Sequence, residues 1–167
     1  FSSFIITSFV TESIISYVSK GSKIGIIGKT GEGKSTFLDL LMGLLEPQKG
    51  AIYIDGSKLS KETCSSWQSK VSHVPQRIFL SDDSFLENIA FGKEKEEINK
   101  EKVELVSKKS QIHELIIKSE GGYSKNVGEQ GISLSGGQIQ RIGLARALYK
   151  EAELIILDEA TNSLDNY

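Results

Sequence analysis

Lys23-Ile24-Gly25-Ile26-Ile27-Gly28-Lys29-Thr30-Gly31-Glu32-Gly33-Lys34-Ser35 is the stretch whose reading decides the fold. Lys23 to Ile27 is a short apolar, β-branched run suited to a buried parallel strand. Gly28 to Ser35 fits a glycine-rich phosphate-binding turn. After it, Phe37, Leu38, Leu40, Leu41, Leu44 and Leu45 recur at helical spacing, which predicts a helix over Lys34 to Leu45 ended by Pro47 and Gly50. Strand, glycine turn and helix in that order define an α/β core.

The rest of the chain extends the same pattern. Phe4 to Val10 and Ile14 to Ser19 read as short strands around a polar turn. Ala51 to Gly56 reads as a strand entering a turn, and Val71 to Val74 as a core strand leading into Pro75-Gln76. From Ser84 to about Ile117 the pattern is helical, rich in lysine and glutamate, with no strand candidate. This predicts a helical lobe inserted into the core. Gly121 to Gly131 reads as a loop, Gly136 to Tyr149 as a helix, and Leu154 to Leu157 as a strand ending in Asp158 and Glu159.

Composition narrows the class. A 167-residue chain with 38% hydrophobic and 25% charged residues can bury a core as one soluble domain. Its net charge of −2 argues against a nucleic-acid partner. Cys64 is the single cysteine, with no metal-ligand spacing to either histidine, which points to a reducing setting. The apolar stretch Phe4 to Val18 is too polar for a membrane span and lacks the basic flank of a signal peptide. The run Gly92 to Glu97 is a solvated face.

The phosphate turn carries specific chemistry. Gly28, Gly31 and Gly33 let the backbone curl so that successive N–H groups face phosphate oxygens, with Thr30 in the same loop. The helix N-terminus adds a partial positive charge. In this motif Lys34 reaches the β- and γ-phosphates and the Ser35 hydroxyl ligates Mg²⁺, while Thr36 is placed for the α-phosphate. At the end of the 154–157 strand, Asp158 suits the Mg²⁺ shell. Glu159, one residue on, suits a carboxylate that accepts a proton from attacking water.

The most restrictive feature is Leu134-Ser135-Gly136-Gly137-Gln138, sixteen residues ahead of Leu154. Taken with Gly28 to Ser35, Gln76, Leu154 to Glu159 and Ser163-Leu164-Asp165, in that order, it resembles the ATP-binding cassette (ABC) ATPases. The resemblance covers nearly the whole chain. It implies a P-loop NTPase core, a parallel-sheet RecA-like lobe with N-terminal antiparallel strands, plus an inserted ABC helical subdomain. The expected division within 1–167 is a core lobe over 1–76 and 136–167, with 77–135 as helical subdomain, X-loop and signature.

Further roles follow from the resemblance alone. Gln76 is implied to be the Q-loop glutamine, touching Mg²⁺ or the lytic water. Leu134 to Gln138 is implied to serve ATP held by a second ABC ATPase domain, in a homo- or heterodimer, and Asp165 to belong to the D-loop crossing that interface. An aromatic residue upstream of the phosphate loop stacks on adenine in this family; Phe4 is the candidate, with Phe1 and Phe9 as rivals.

Asn126-Val127-Gly128-Glu129-Gln130-Gly131 is similar to the X-loop of exporter-type cassettes, keeping Val127, Gly128, Glu129 and Gly131. It departs from the usual pattern at Lys125, Asn126 and Gln130. Phe85 to Gly92 also looks exporter-like. The resemblance therefore implies an ATPase at the cytoplasmic face of a membrane, partnered by an exporter's transmembrane domain. The alternative class is a soluble cassette ATPase of DNA repair, chromosome maintenance or translation. Against its repair and chromosome members, the interval from Gln76 to Leu134 shows no sustained heptads. A regulatory, non-hydrolysing cassette is disfavoured because Lys34, Asp158 and Glu159 are all present.

His73 reads as a structural histidine and His113 as a packing or surface residue of the lobe, and Trp67 as core or lobe packing. The family's switch histidine is expected beyond Tyr167. The chain is accordingly expected to be a C-terminally truncated fragment with impaired hydrolysis by itself.

Overall fold

The computed structural model describes residues 3–8, 14–29, 31–128 and 134–158. It groups the chain into two compact units, Phe1–Val71 and Ser72–Tyr167.

In the first unit, β1 (Ser3–Ser8) and β2 (Ile14–Ser19) pair antiparallel in the register Ile5↔Tyr17. The phosphate turn leads into α1 (Lys34–Leu41). Strand β3 (Gly50–Ile54) then pairs with β1 and, across Asp55-Gly56, with β4 (Ser57–Lys58), giving the order β2-β1-β3-β4. Asp55 and Gly56 sit at φ 49° and 80°. Two consecutive positive φ angles make the two-residue hairpin turn for which an Asp-Gly pair is suited. Leu40 and Ile52 form the buried centre of this unit, flanked by Phe37, Leu41 and Leu59.

Two expectations fail here. Lys23 to Ile27 is not a strand: it is irregular, with Ile24 59% and Ile27 98% exposed. A strand needs a neighbouring strand to take its main-chain hydrogen bonds, and the sheet order β2-β1-β3-β4 supplies it none. The apolar run alone does not make a strand. The helix from Lys34 also stops at Leu41, not Leu45. Its end is a Schellman motif on Gly43 at φ 70°, with Gly43 N–H donating to Leu40 O (3.0 Å) and Leu44 N–H to Asp39 O (2.8 Å). Pro47 and Gly50 come after the helix has already closed.

Helix α2 (Lys61–Ser69) satisfies the carbonyls that α1 leaves open at its C-terminal end. Trp67 Nε1 donates to Leu41 O at 2.8 Å, and Gln68 Nε2 and Cys64 Sγ donate to Gly43 O at 3.2 and 3.1 Å. Trp67 is core, as expected, at 4% exposure.

In the second unit, β5 (Val71–Val74) is followed by β6 (Asp83–Ser84) and α3 (Phe85–Ile89), then α4 (Lys100–Lys109) and α5 (His113–Lys118). Strand β7 (Asn126–Val127) pairs antiparallel with β6, a two-residue ladder that the sequence pattern did not signal. Helix α6 (Gly136–Tyr149) and β8 (Leu154–Leu157) match the expected spans, and β8 pairs with β5. The helices share one core in which Phe85, Val103, Ile112, Ile116, Val127 and Ile142 are fully buried. Their starts are capped locally. Asn99 Oδ1 accepts from Lys102 N–H at 2.9 Å, and Ser84 and Glu87 form a reciprocal capping box.

Candidate nucleotide site

The phosphate turn lies in the first unit. Gly31 and Gly33 hold φ 88° and 86°, left-handed angles that glycine adopts without strain. Gly33 is the N-cap of α1, and the first-turn N–H groups of Lys34, Ser35 and Thr36 precede the first helical bond, Phe37 N–H to Gly33 O at 2.9 Å. No acidic residue sits in that first turn. Ser35 and Thr36 are exposed. Together these groups form an anion-accepting helix end. Lys34 Nζ donates to Gly28 O (2.7 Å) and Lys29 O (2.8 Å), so the lysine lies back across its own loop. Glu32 Oε2 accepts from Lys29 N–H at 2.7 Å and is placed 2.8 Å from where a Cβ on Gly28 would stand, so a side chain there would push the Glu32 carboxylate off this bond.

Gln76, Asp158 and the stretch Leu134 to Gln138 lie in the second unit. Gln76 follows β5 and is exposed. Asp158 follows β8, half-buried, and its N–H donates to Val74 O at 3.0 Å. The β5–β8 pairing thus carries Gln76 and Asp158 on the ends of adjacent strands.

Ser135 caps α6, with its Oγ accepting from Gln138 N–H (3.3 Å) while Gln138 Oε1 accepts from Ser135 N–H (2.8 Å). This reciprocal box explains Ser135 and Gln138 structurally. The Ser-x-x-Gln spacing signalled it, and the reading of the stretch as a signature passed over it. Gly136 and Gly137 form the open first turn of a 14-residue helix, and Leu134 packs on the core.

Thr30, Glu159 and Asp165 lie outside the described residues, as do Phe1 and Phe9. Phe4 is on β1, paired with Val18 and Ile54. His73 is exposed on β5, and His113 Nδ1 lies 2.9 Å from the Tyr123 hydroxyl, a packing role within the lobe.

Two residues escaped sequence reasoning. Arg146 on α6 donates to Asn88 O (2.5 Å), Asn88 Oδ1 (2.7 Å) and Phe79 O (2.6 Å), with its guanidinium 4.8 Å from the Phe91 ring centroid. Burial without a carboxylate partner pulls its pKa down to about 10. Gln140, also on α6, donates from Nε2 to Gln76 O at 2.8 Å. Local periodicity marks neither, because both partners lie far away in sequence.

The family described as ABC transporter matches residues 12–162, and the chain belongs to that family. It has the α/β fold of an ABC ATPase. A solved bacterial Atm1-family ABC exporter with ATP bound superposes at a TM-score of 0.84 and 33% identity, over 99% of this chain and 30% of that one. An ATP-dependent lipid A-core flippase of Saccharophagus degradans is 38% identical over 149 residues, which are 89% of this chain and 25% of the flippase. The human mitochondrial iron-sulfur clusters transporter ABCB7 is 39% identical over 149 residues, 89% of this chain and 20% of the transporter. The chain thus spans a quarter of the flippase and a fifth of ABCB7. The soluble cassette alternative is not favoured by these likenesses. Among the described residues, no helix is long and apolar enough to cross a membrane.

Proposed function

We propose that this chain is the nucleotide-binding domain of an ABC exporter, which binds ATP with Mg²⁺, pairs with a second such domain and hydrolyses ATP to drive transport. The observation that carries this reading is the α1 N-terminus. Its first-turn N–H groups, the Lys34 ammonium and the absence of first-turn acids make a phosphate cradle. ATP would draw Lys34 from the Gly28 and Lys29 carbonyls to its phosphates, with Gly28, Thr30, Gly31, Gly33 and Thr36 lining the cradle. Ser135, Gly136 and Gly137 would serve the partner domain's nucleotide with the N-terminus of α6, and Asp165 would lie in the interface.

Ser35, Gln76 and Asp158 offer hard oxygen donors of the kind Mg²⁺ prefers. The ion would neutralise phosphate charge. Glu159 would accept the proton of the attacking water while Gln76 orients it. The core lobe would comprise 1–76 and 136–167, with 77–135 as the helical subdomain. Phe79 and Phe91, 74% and 60% exposed around Arg146, offer an apolar surface for the exporter's transmembrane domain at the cytoplasmic membrane face.

The test uses the full-length protein in lipid. Lys34→Ala is expected to abolish Mg-ATP turnover. Glu159→Gln is expected to keep ATP binding and trap a dimer on size-exclusion chromatography. Wild-type turnover in both variants would refute the reading.

A further inference from the structure

Among the described residues, Gln140 Oε1 is the buried side-chain oxygen that finds no donor. Gln140 is 8% exposed, and its Nε2 is committed to the Gln76 carbonyl at 2.8 Å. That bond fixes the amide's orientation, since the reverse would set two acceptors face to face. A buried acceptor left unpaired is unfavourable, and a donor that reaches it in another state of the molecule favours that state.

The place of Gln140 gives the half-made amide its meaning. Gly136 and Gln140 are four residues apart on α6, hence on one face and about 6 Å apart along the axis. Helix α6 is packed through Ile142 and Ala145, both at 0% exposure, so its N-terminal signature and Gln140 move together. The residue held by Gln140 is the Q-loop glutamine, 64 positions away in sequence.

We infer that Gln140 is a positioning residue that couples the signature helix to Gln76. Its donor half holds the Gln76 carbonyl, and its acceptor half receives the main-chain N–H of Arg77 or Ile78 when Gln76 turns to nucleotide. A shift of α6 on its partner-bound ATP is thereby passed to the chain's own Gln76. This coupling rests on the functional reading above.

Gln140→Glu in the full-length protein in lipid tests it, because a carboxylate keeps the shape but cannot donate to Gln76 O. The expected result is a kcat lower by about tenfold, the scale of one hydrogen bond, with KM for ATP within about twofold. On a Gln76→Ala background the same change should cost nothing further, because the effect runs through Gln76. Hydrogen exchange should show protection lost over residues 75–80 and kept over α6. Wild-type kcat, an equal further loss in the double variant, or loss of protection across α6 would each overturn the coupling. Lys34→Ala, assayed alongside, separates the two failures. If it turns over ATP normally, the functional reading falls and takes the coupling with it. If it is inactive while Gln140→Glu is normal, only the coupling falls.

Discussion

Replacing Arg146 by methionine should loosen the junction of α3 and α6 by an amount that can be worked out bond by bond. The guanidinium satisfies the Asn88 main-chain carbonyl, in a residue at 0% exposure, together with Phe79 O and Asn88 Oδ1. Asn88 Oδ1 keeps its bond from Ser81 N–H at 3.0 Å, and Phe79 is exposed enough for water to take over. The buried Asn88 carbonyl has no such replacement, and stranding it costs about 1–3 kcal/mol. Loss of the stacking on Phe91 adds about 0.5 kcal/mol at an exposed ring. Relief of the charge's own desolvation, which holds the Arg146 pKa near 10, offsets part of this.

A net loss of about 2 kcal/mol corresponds to a roughly 30-fold rise in local opening. Hydrogen exchange over residues 79–91 and 139–149 of the full-length protein reads it directly. Arg146→Lys should fall between the two, since one ammonium cannot reproduce the planar fork. Exchange in Arg146→Met within threefold of wild type would refute this account of the buried arginine.

Glu87 gives a pH-dependent prediction. Lys95, at 2.8 Å, and then the Ser84 hydroxyl hold its pKa down at about 2 from an ordinary 4.5. A depressed folded-state pKa means its stabilisation is present above pH 4.5 and is lost as pH falls towards 2. Glu87→Gln should lower stability at pH 7 by about 1 kcal/mol through the weakened capping box, with the gap to wild type closing between pH 4.5 and 2 in thermal scans. A gap that stays constant across that window would contradict the assignment. Gly128→Ala should destabilise the β6–β7 corner by about 2 kcal/mol, because Gly128 holds φ 130°. Its added Cβ would meet Asp82 Cα at 2.9 Å and Ser81 O at 3.0 Å, backbone atoms that cannot swing aside. Urea unfolding with an unchanged midpoint would refute the steric argument.

Much of this molecule was legible because it is written over short distances. The spans of α6 and β8 matched expectation, since apolar periodicity and the Ser135 and Gly136 start signal act within a few residues. The phosphate turn was legible for the same reason: its glycines and Lys34 act on backbone no more than six positions away. Where local signals competed, local chemistry still decided, as when Gly43 closed α1 before Pro47 was reached.

What the tertiary structure alone decided is whatever depends on a neighbour from elsewhere in the chain. The run Lys23 to Ile27 has the composition of a strand, yet becomes one only where other strands offer hydrogen bonds, and the sheet of its own unit offers none. Gln140 and Arg146 look like ordinary polar positions on a helix until folding brings Gln76 O and the Asn88 and Phe79 carbonyls to them across 64, 58 and 67 residues. Sequence determined which family this chain belongs to, because motifs are local. The fold decided which side chains hold those motifs in place, because a buried polar group is read only by the partner that reaches it.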